Sequence, residues 1–395
     1  MLKKIHIDDL EIGMFVEKYG SGTFREPFSF PNQEITSVEQ IESLRVSGAT
    51  EVFINPEKGA CVVVEAEAGK PSTFVAVAPR VAFADEIPVA AKVYTQALKQ
   101  ARQMMVAVRR DGNLGDVAAA EDVVGEVAQS IARNESAAVC LAKLRGRDEY
   151  LLRHSVNVCV LAMVYGRHLG LDEAAVLQLG MAGLCHDAGK ARLPENIVNK
   201  PGELTLWERK VVHSHAVESF RLLQGHPGVA PEVLRAVLEH HERFDGTGYP
   251  RGLLGGEMHL YSRILSISDV FDAMTSDRPQ AKAKPAAEAF RLMYSRRNKD
   301  FEDRCIEHFI KALGIFPVGS FVRLSNGHYA VVSEVNSDFP LKPSVKVVLD
   351  AKLRPRRAEV VDLSVTPTSE LHERLEIVEC LDPRTYKIDV LRLLS

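Results

Sequence analysis

The chain has 395 residues, 46% of them hydrophobic and 26% charged, with no uninterrupted apolar run near the roughly 20 residues needed to cross a bilayer. That length suits two or three domains, and a formal charge of -4 gives no bulk electrostatic basis for binding a nucleic-acid polymer. The polar start MLKKIHIDDL lacks a secretory apolar segment, and the six cysteines are scattered without a CxxC pair, so reduced thiols in a cytoplasmic protein are expected.

Taken in order, short apolar pieces over 5–16 precede SVEQIESLRVSG, which predicts a helix capped at Ser37 and stopped at Gly48. Strand-like segments at 51–54, 61–64 and 73–77 complete a small α+β domain over residues 1–85. Helical patterning starts near Val89 and makes 86–134 a helical connector. Helices are then expected over 120–144, 150–168, 172–186, 205–223, 230–241, 260–274 and 285–293, so that 135–315 reads as an all-α domain. After Pro317 the segments SFVRL, YAVVSEV, VKVVLD, LEIVEC and KIDVLRLL alternate, which predicts a β-rich extension over 316–395. The fold class is therefore multidomain α+β: a central all-α helical domain between a small α+β N-terminal domain and a short β-rich C-terminal region.

Histidine is distributed unevenly. Nine of the 13 fall between residues 154 and 259, where an even spread would put about three or four. His186 and Asp187 are adjacent at the end of an apolar helix, His240 and His241 are consecutive, His154 and His215 belong to separate helices, and Asp269 interrupts the apolar stretch ILSISDVF. A buried carboxylate without a partner is costly, and coordination of a cation offsets that cost. Five imidazoles with two carboxylates suit a pair of borderline divalent ions better than calcium. A carboxylate shared by two such ions, Asp187 here, generates hydroxide at neutral pH and fits attack on a phosphorus electrophile. His213 and His215 are about 200° apart on a helix, so only one is expected to face a common centre, and periodicity does not choose between them. His168 reads as a helix-end residue favoured by the dipole. In HHERFDGTGYP, residues 240–250, Gly246 and Gly248 build a specialised turn directly after two candidate ligands, with Tyr249 available to stack or to donate a hydrogen bond.

These segments together resemble the HD-GYP family of HD phosphohydrolases. The match runs through HSVNV (154–158), HDAGK (186–190), Lys-Pro-Gly at 200–202, LTLWE (204–208), HHERFDGTGYP and SRILSISDVFDAMTSDRP (262–279). Residues 1–130 are also similar to the uncharacterised domain that often precedes such enzymes. The resemblance implies a metal-dependent phosphodiesterase that opens the bacterial messenger cyclic di-GMP to linear pGpG, and on to GMP in many members. It implies the ligands His154, His186, Asp187 and Asp269 around one metal, with Asp187 bridging to a second held by His215, His240 and His241. Spacing from Glu208 within the family motif selects His215 over His213. Lys190 and, with a weaker match, Arg263 are implied as phosphate-facing, and Tyr249 with Gly246 and Gly248 as pocket-shaping. Iron or manganese is expected, with zinc, magnesium, cobalt or nickel as alternatives. Relatives with a third metal carry Glu where this chain has Tyr150, so two metals are expected here; Gln280 stands where many relatives have Tyr. The competing functions are hydrolysis of another nucleotide by the same HD core, and a binding module that senses cyclic di-GMP without turnover. A homodimer or a signalling partner at the N-terminal domain is a further expectation without a defined contact face.

Overall fold

The structure, a computed structural model, describes residues 3–6, 10, 14–20, 33–35, 41, 51–54, 81–143, 150–278, 281–336, 338–365 and 375–394. The chain separates into two compact units, Met1–Pro71 and Ser72–Ser395. In the first, β1 (Lys3–His6), β2 (Phe15–Gly20), β3 (Gln33–Glu34) and β4 (Glu51–Ile54) form an antiparallel sheet in the order β1-β4-β2-β3. Val16, Ile35 and Val52 are buried, and Ile41 lies in a helical turn. The strands expected at 61–64 and 73–77, and the rest of the 37–48 helix, fall outside the described residues, as does Gln280.

The second unit opens with two long helices, α1 (Phe83–Asp111) and α2 (Val117–Lys143), the latter broken at Asn134. The Asn134 side chain donates to Val81 O and accepts from Ala137 N, so it caps the helix that resumes after the break. Next come α3 (Tyr150–His168), α4 (Glu173–Cys185), α5 (Glu195–Val198), α6 (Leu206–His213), α7 (His215–Gln224), α8 (Pro231–Glu239), α9 (Leu260–Thr275), α10 (Ala286–Tyr294) and α11 (Asp303–Leu313). Helix α3 is apolar around nearly its whole circumference, and it is buried by α1, α2, α4, α9 and α11. Any polar side chain it carries inward is therefore desolvated, and His154 is one.

Three expectations change. The single helix over 205–223 is two, because Ser214 ends α6 and begins α7. Helix α11 was absent from the sequence reading, although Cys305, Ile306, Phe309, Ala312 and Leu313 make one buried stripe. The C-terminal region is a five-stranded antiparallel sheet of β5 (Phe321–Leu324), β6 (Tyr329–Glu334), β7 (Ser344–Leu349), β8 (Pro355–Asp362) and β9 (Ile377–Leu381), ordered β8-β7-β6-β5-β9. The last expected strand segment, KIDVLRLL, instead ends in the short helix α12 (Val390–Leu394), which buries Val390 against Phe321 and Val331 of the sheet. No helix of the described residues is long and apolar enough to cross a membrane.

Candidate metal centre

The imidazoles are oriented by their own helices. His186 caps the end of α4 and places Nδ1 2.7 Å from Gly183 O; His215 begins α7 with Nδ1 2.6 Å from Val212 O; His240 caps α8 with Nδ1 2.7 Å from Val237 O. A carbonyl only accepts, so each Nδ1 is the protonated nitrogen and each Nε2 presents a lone pair to the interior. Asp187 follows His186 at the start of a 3-10 turn, Ala188–Arg192. Gly189 lets that turn lie against α7: a side chain there would strike His215 O and Ser219 N, while Gly189 N donates to Ser219 Oγ at 2.8 Å.

The result is a dense cluster. Asp187 Oδ1 is 3.2 Å from His215 Nε2, and Oδ2 is 3.5 Å from His186 Nε2 and 3.7 Å from His154 Nε2. His154 Nε2 lies 2.9 Å from Asp269 Oδ1. His215 Nε2 is 3.2 Å from His240 Nε2 and 3.1 Å from His241 Nε2. Three groups each bring donor atoms within 4.8 Å of one another: His215, His240 and His241; His154, His186 and Asp269; and His186, Asp187 and His240. The histidine predicted from the family spacing, His215, joins the cluster, whereas His213 stacks on Tyr249 with ring centroids 3.7 Å apart.

The donor set fits divalent cations. His186 Nε2 and Asp187 Oδ1 are buried without a hydrogen bond, and the lone pair of His215 Nε2 faces that of His240 Nε2 across a hydrogen-bond distance with no proton fixed between them. A cation removes both penalties. Electrostatics agree. Burial, reinforced by Lys190 and His240, lowers His215 to about 3; burial with His186 lowers His240 to about 4; and burial also lowers His186 and His241. In all four, burial favours the neutral form that ligation of a cation requires. Burial works against the charge of Asp187, but Lys190 and the surrounding imidazoles outweigh it and hold its carboxyl well below the usual carboxylate range. His154 differs: both ring nitrogens face carboxylates, and Asp269 and Asp272 overcome the cost of burial and raise it to about 10.

Sequence reasoning missed three buried carboxylates that hold the cluster in shape. Asp272 accepts from His154 Nδ1 at 2.7 Å, Asn157 Nδ2 at 2.8 Å and Ser276 Oγ at 3.1 Å. Its signal was the i, i+3 spacing from Asp269 on an apolar helix. Glu239 accepts from Ser262 Oγ at 2.7 Å and so ties α8 to α9. Glu242 accepts the backbone N–H groups of Arg251, Gly252 and Leu253 at 2.6, 3.1 and 3.0 Å, which anchors the exit of the GTGYP loop. In that loop Gly246 has φ +77°, a side chain at Gly248 would strike the Glu242 and Arg243 backbone, and Tyr249-Pro250 is cis.

Lys190 Nζ is 2.5 Å from Asp187 Oδ2, at the cluster itself. Arg263 is engaged by protein groups: its guanidinium donates to Glu302 Oε2 at 2.6 Å and to Gly255 O at 2.8 Å, an arrangement that ties α9 to the start of α11. His168 pairs with Glu135 at 2.8 Å rather than serving only the helix dipole. Tyr150 stacks on His154 with centroids 5.3 Å apart, and Glu149 is outside the described residues.

An HD domain profile matches residues 138–304, a domain of unknown function (DUF3391) matches 2–120, and a KOW domain associated with HD domain matches 321–388. Cyclic di-GMP phosphodiesterase PA4108 of Pseudomonas aeruginosa is 38% identical over 374 residues, covering 92% of this chain and 89% of that protein. The chain belongs to the HD-GYP-type HD phosphohydrolases. Two further relatives match its HD region. The cyclic di-GMP phosphodiesterase response regulator RpfG of Xanthomonas campestris is 37% identical over 152 residues, 38% of this chain and 40% of that one. The 3'3'-cGAMP-specific phosphodiesterase 3 of Vibrio cholerae is 34% identical over 173 residues, 43% of this chain and 37% of that one. With its clustered histidines and aspartates in an HD domain, this HD-GYP protein is a metal-dependent hydrolase related to cyclic-dinucleotide phosphodiesterases, and its ligand clusters are consistent with a binuclear divalent-metal centre.

Proposed function

We propose that the chain hydrolyses cyclic di-GMP to linear pGpG and then to GMP, using two divalent cations, iron or manganese by the mixed imidazole and carboxylate donors. The observation that carries this reading is the convergence of seven buried or half-buried side chains from five separate segments on one centre, with Asp187 facing both groups of imidazoles. His154, His186, Asp187 and Asp269 would hold one cation, and Asp187, His215, His240 and His241 the other. When bound, the cations supply Lewis acidity toward water and toward the phosphodiester. Lys190, beside Asp187, provides a positive charge for a nonbridging phosphate oxygen. Helices α3, α4 and α9 exclude bulk water from the ligands, which strengthens every charge interaction there. Cyclic di-GMP is preferred to 3'3'-cGAMP because the relative named for cyclic di-GMP matches along nearly the whole chain, while the one named for cGAMP matches only the HD region.

The test is turnover by the anaerobically purified, metal-reconstituted chain, with products resolved as pGpG and GMP. Hydrolysis of cyclic di-GMP well ahead of 3'3'-cGAMP, linear dinucleotides other than pGpG, and nucleoside triphosphates is the expected result. Turnover confined to nucleoside triphosphates, or tight binding of cyclic di-GMP without hydrolysis, would overturn it.

Two predictions arise from the same geometry. A cation at His154 Nε2 must displace the proton shared with Asp269, whereas His215 and His240 are already neutral. Metal loading at pH 7.5 is thus expected to release at least one proton per chain, the one on His154, which is charged below about 10. Calorimetric titration in buffers of different ionisation enthalpy reads this directly, and zero release would refute the charge state assigned to His154. Asp272→Asn keeps the volume but removes the charge that orients His154, so metal affinity is expected to fall roughly 10–100-fold. Unchanged affinity by competition with a chromophoric chelator would deny Asp272 that role.

A further inference from the structure

His241 is the outlier among the proposed ligands. Among the other six no side chain is more than 8% exposed, but the His241 side chain is 24% exposed. His186, His215 and His240 are each fixed by a carbonyl three residues earlier, and His154 by Asp272. His241 has no such tie: its Nε2 faces His215, and its Nδ1 is 3.7 Å from Asp269 Oδ2. What lies against its ring is Tyr249, centroids 4.7 Å apart at 31°, while Tyr249 N donates to His241 O at 3.2 Å. Tyr249 in turn is stacked nearly parallel on His213, at 3.7 Å and 6°. His213 closes α6, a helix without one buried residue, while His215, one residue past Ser214, begins α7 at the cluster. Three rings from three segments thus form a run ending on the least secured ligand.

We infer that His213 is a positioning residue that acts through Tyr249 on His241, and so sets how firmly the cation shared by His215, His240 and His241 is retained. Offset or parallel stacking of planar rings restricts both partners without requiring a hydrogen bond, and supports behind a ligand govern metal retention. The inference rests on the ligand assignment proposed above. It also changes the part given to Tyr249, whose ring supports a ligand rather than standing free for a nucleobase.

The full-length apoprotein is titrated with Co²⁺ by calorimetry, and the two binding events are assigned by His154→Ala and His241→Ala. His213→Ala is expected to weaken the event that His241→Ala removes by about tenfold and to leave the other within twofold. His213→Phe, which keeps the planar ring but no ring nitrogen, is expected to restore wild-type affinity. Tyr249→Ala is expected to reproduce the loss, and the His213→Ala/Tyr249→Ala pair to be no weaker than Tyr249→Ala alone. Wild-type affinity in His213→Ala, failure of His213→Phe to restore it, or losses that multiply in the pair would overturn the inference. If His213→Ala does not melt cooperatively, His213→Leu against His213→Phe makes the same comparison. Failure of the underlying ligand assignment looks different: the wild type would take up fewer than two Co²⁺, or His241→Ala would keep both.

Discussion

Asp187→Ala is expected to lower cyclic di-GMP hydrolysis by about 10³-fold or more and to cut bound metal from two ions per chain to at most one. The size follows from position. One oxygen of Asp187 faces His215 at 3.2 Å, and the other faces His186 and His154 at 3.5 and 3.7 Å; Asp269 also reaches both groups, but its approach to the second, at His241 Nδ1, is 3.7 Å. The carboxylate is fully buried, and the charges around it keep it ionised. Asp187→Asn preserves the shape and removes the charge, so it is expected to behave like alanine; a purely steric role would spare it. Initial rates and metal analysis on the same folded preparations check the prediction, and near-wild-type activity in either variant would contradict it.

Lys190→Ala is expected to act on chemistry rather than assembly, with kcat down roughly 10²–10³-fold and two metals still bound. Lys190 Nζ is 2.5 Å from Asp187 Oδ2, where it serves as the counter-charge of a buried carboxylate. Were Asp187 to ligate cations, their charge would replace that of Lys190 and leave its ammonium available to substrate. The variant is therefore expected to lose stability mainly as apoprotein and to recover most of it on metal loading. Thermal melts of the apo and loaded forms separate these effects: an equal loss in both would show that Lys190 is not the counter-charge described, and an unchanged kcat would remove it from the reaction.

Much of the centre was legible because its chemistry is written in short range: His186 beside Asp187, His240 beside His241, and Asp269 within an apolar helix. Which of His213 and His215 faces inward was not legible from periodicity. A helical wheel sets them about 200° apart without saying which side is inward, and partners distant in the chain decide it: Asp187 and His240 for His215, Tyr249 for His213. Asp272 and Glu242 escaped because a carboxylate that orients a ligand or accepts three backbone N–H groups carries no motif of its own; its partners, His154 and residues 251–253, are distant or come later in the chain. Helix α11 was readable, since Ile306, Phe309, Ile310 and Leu313 follow helical spacing. KIDVLRLL was not, because a short apolar run satisfies strand and helix patterns alike, and the docking of Val390 onto the sheet decides it. Arg263 resembled a phosphate-facing residue by position, but Glu302, 39 residues later, engages it.

Asp187 is proposed to join two cations in a single centre. Low-temperature electron paramagnetic resonance of the chain loaded with two equivalents of Mn²⁺ tests it most directly. An exchange-coupled pair, lost in Asp187→Ala, is expected; two independent six-line signals in the wild type, or coupling that survives the substitution, would contradict the bridging role of Asp187.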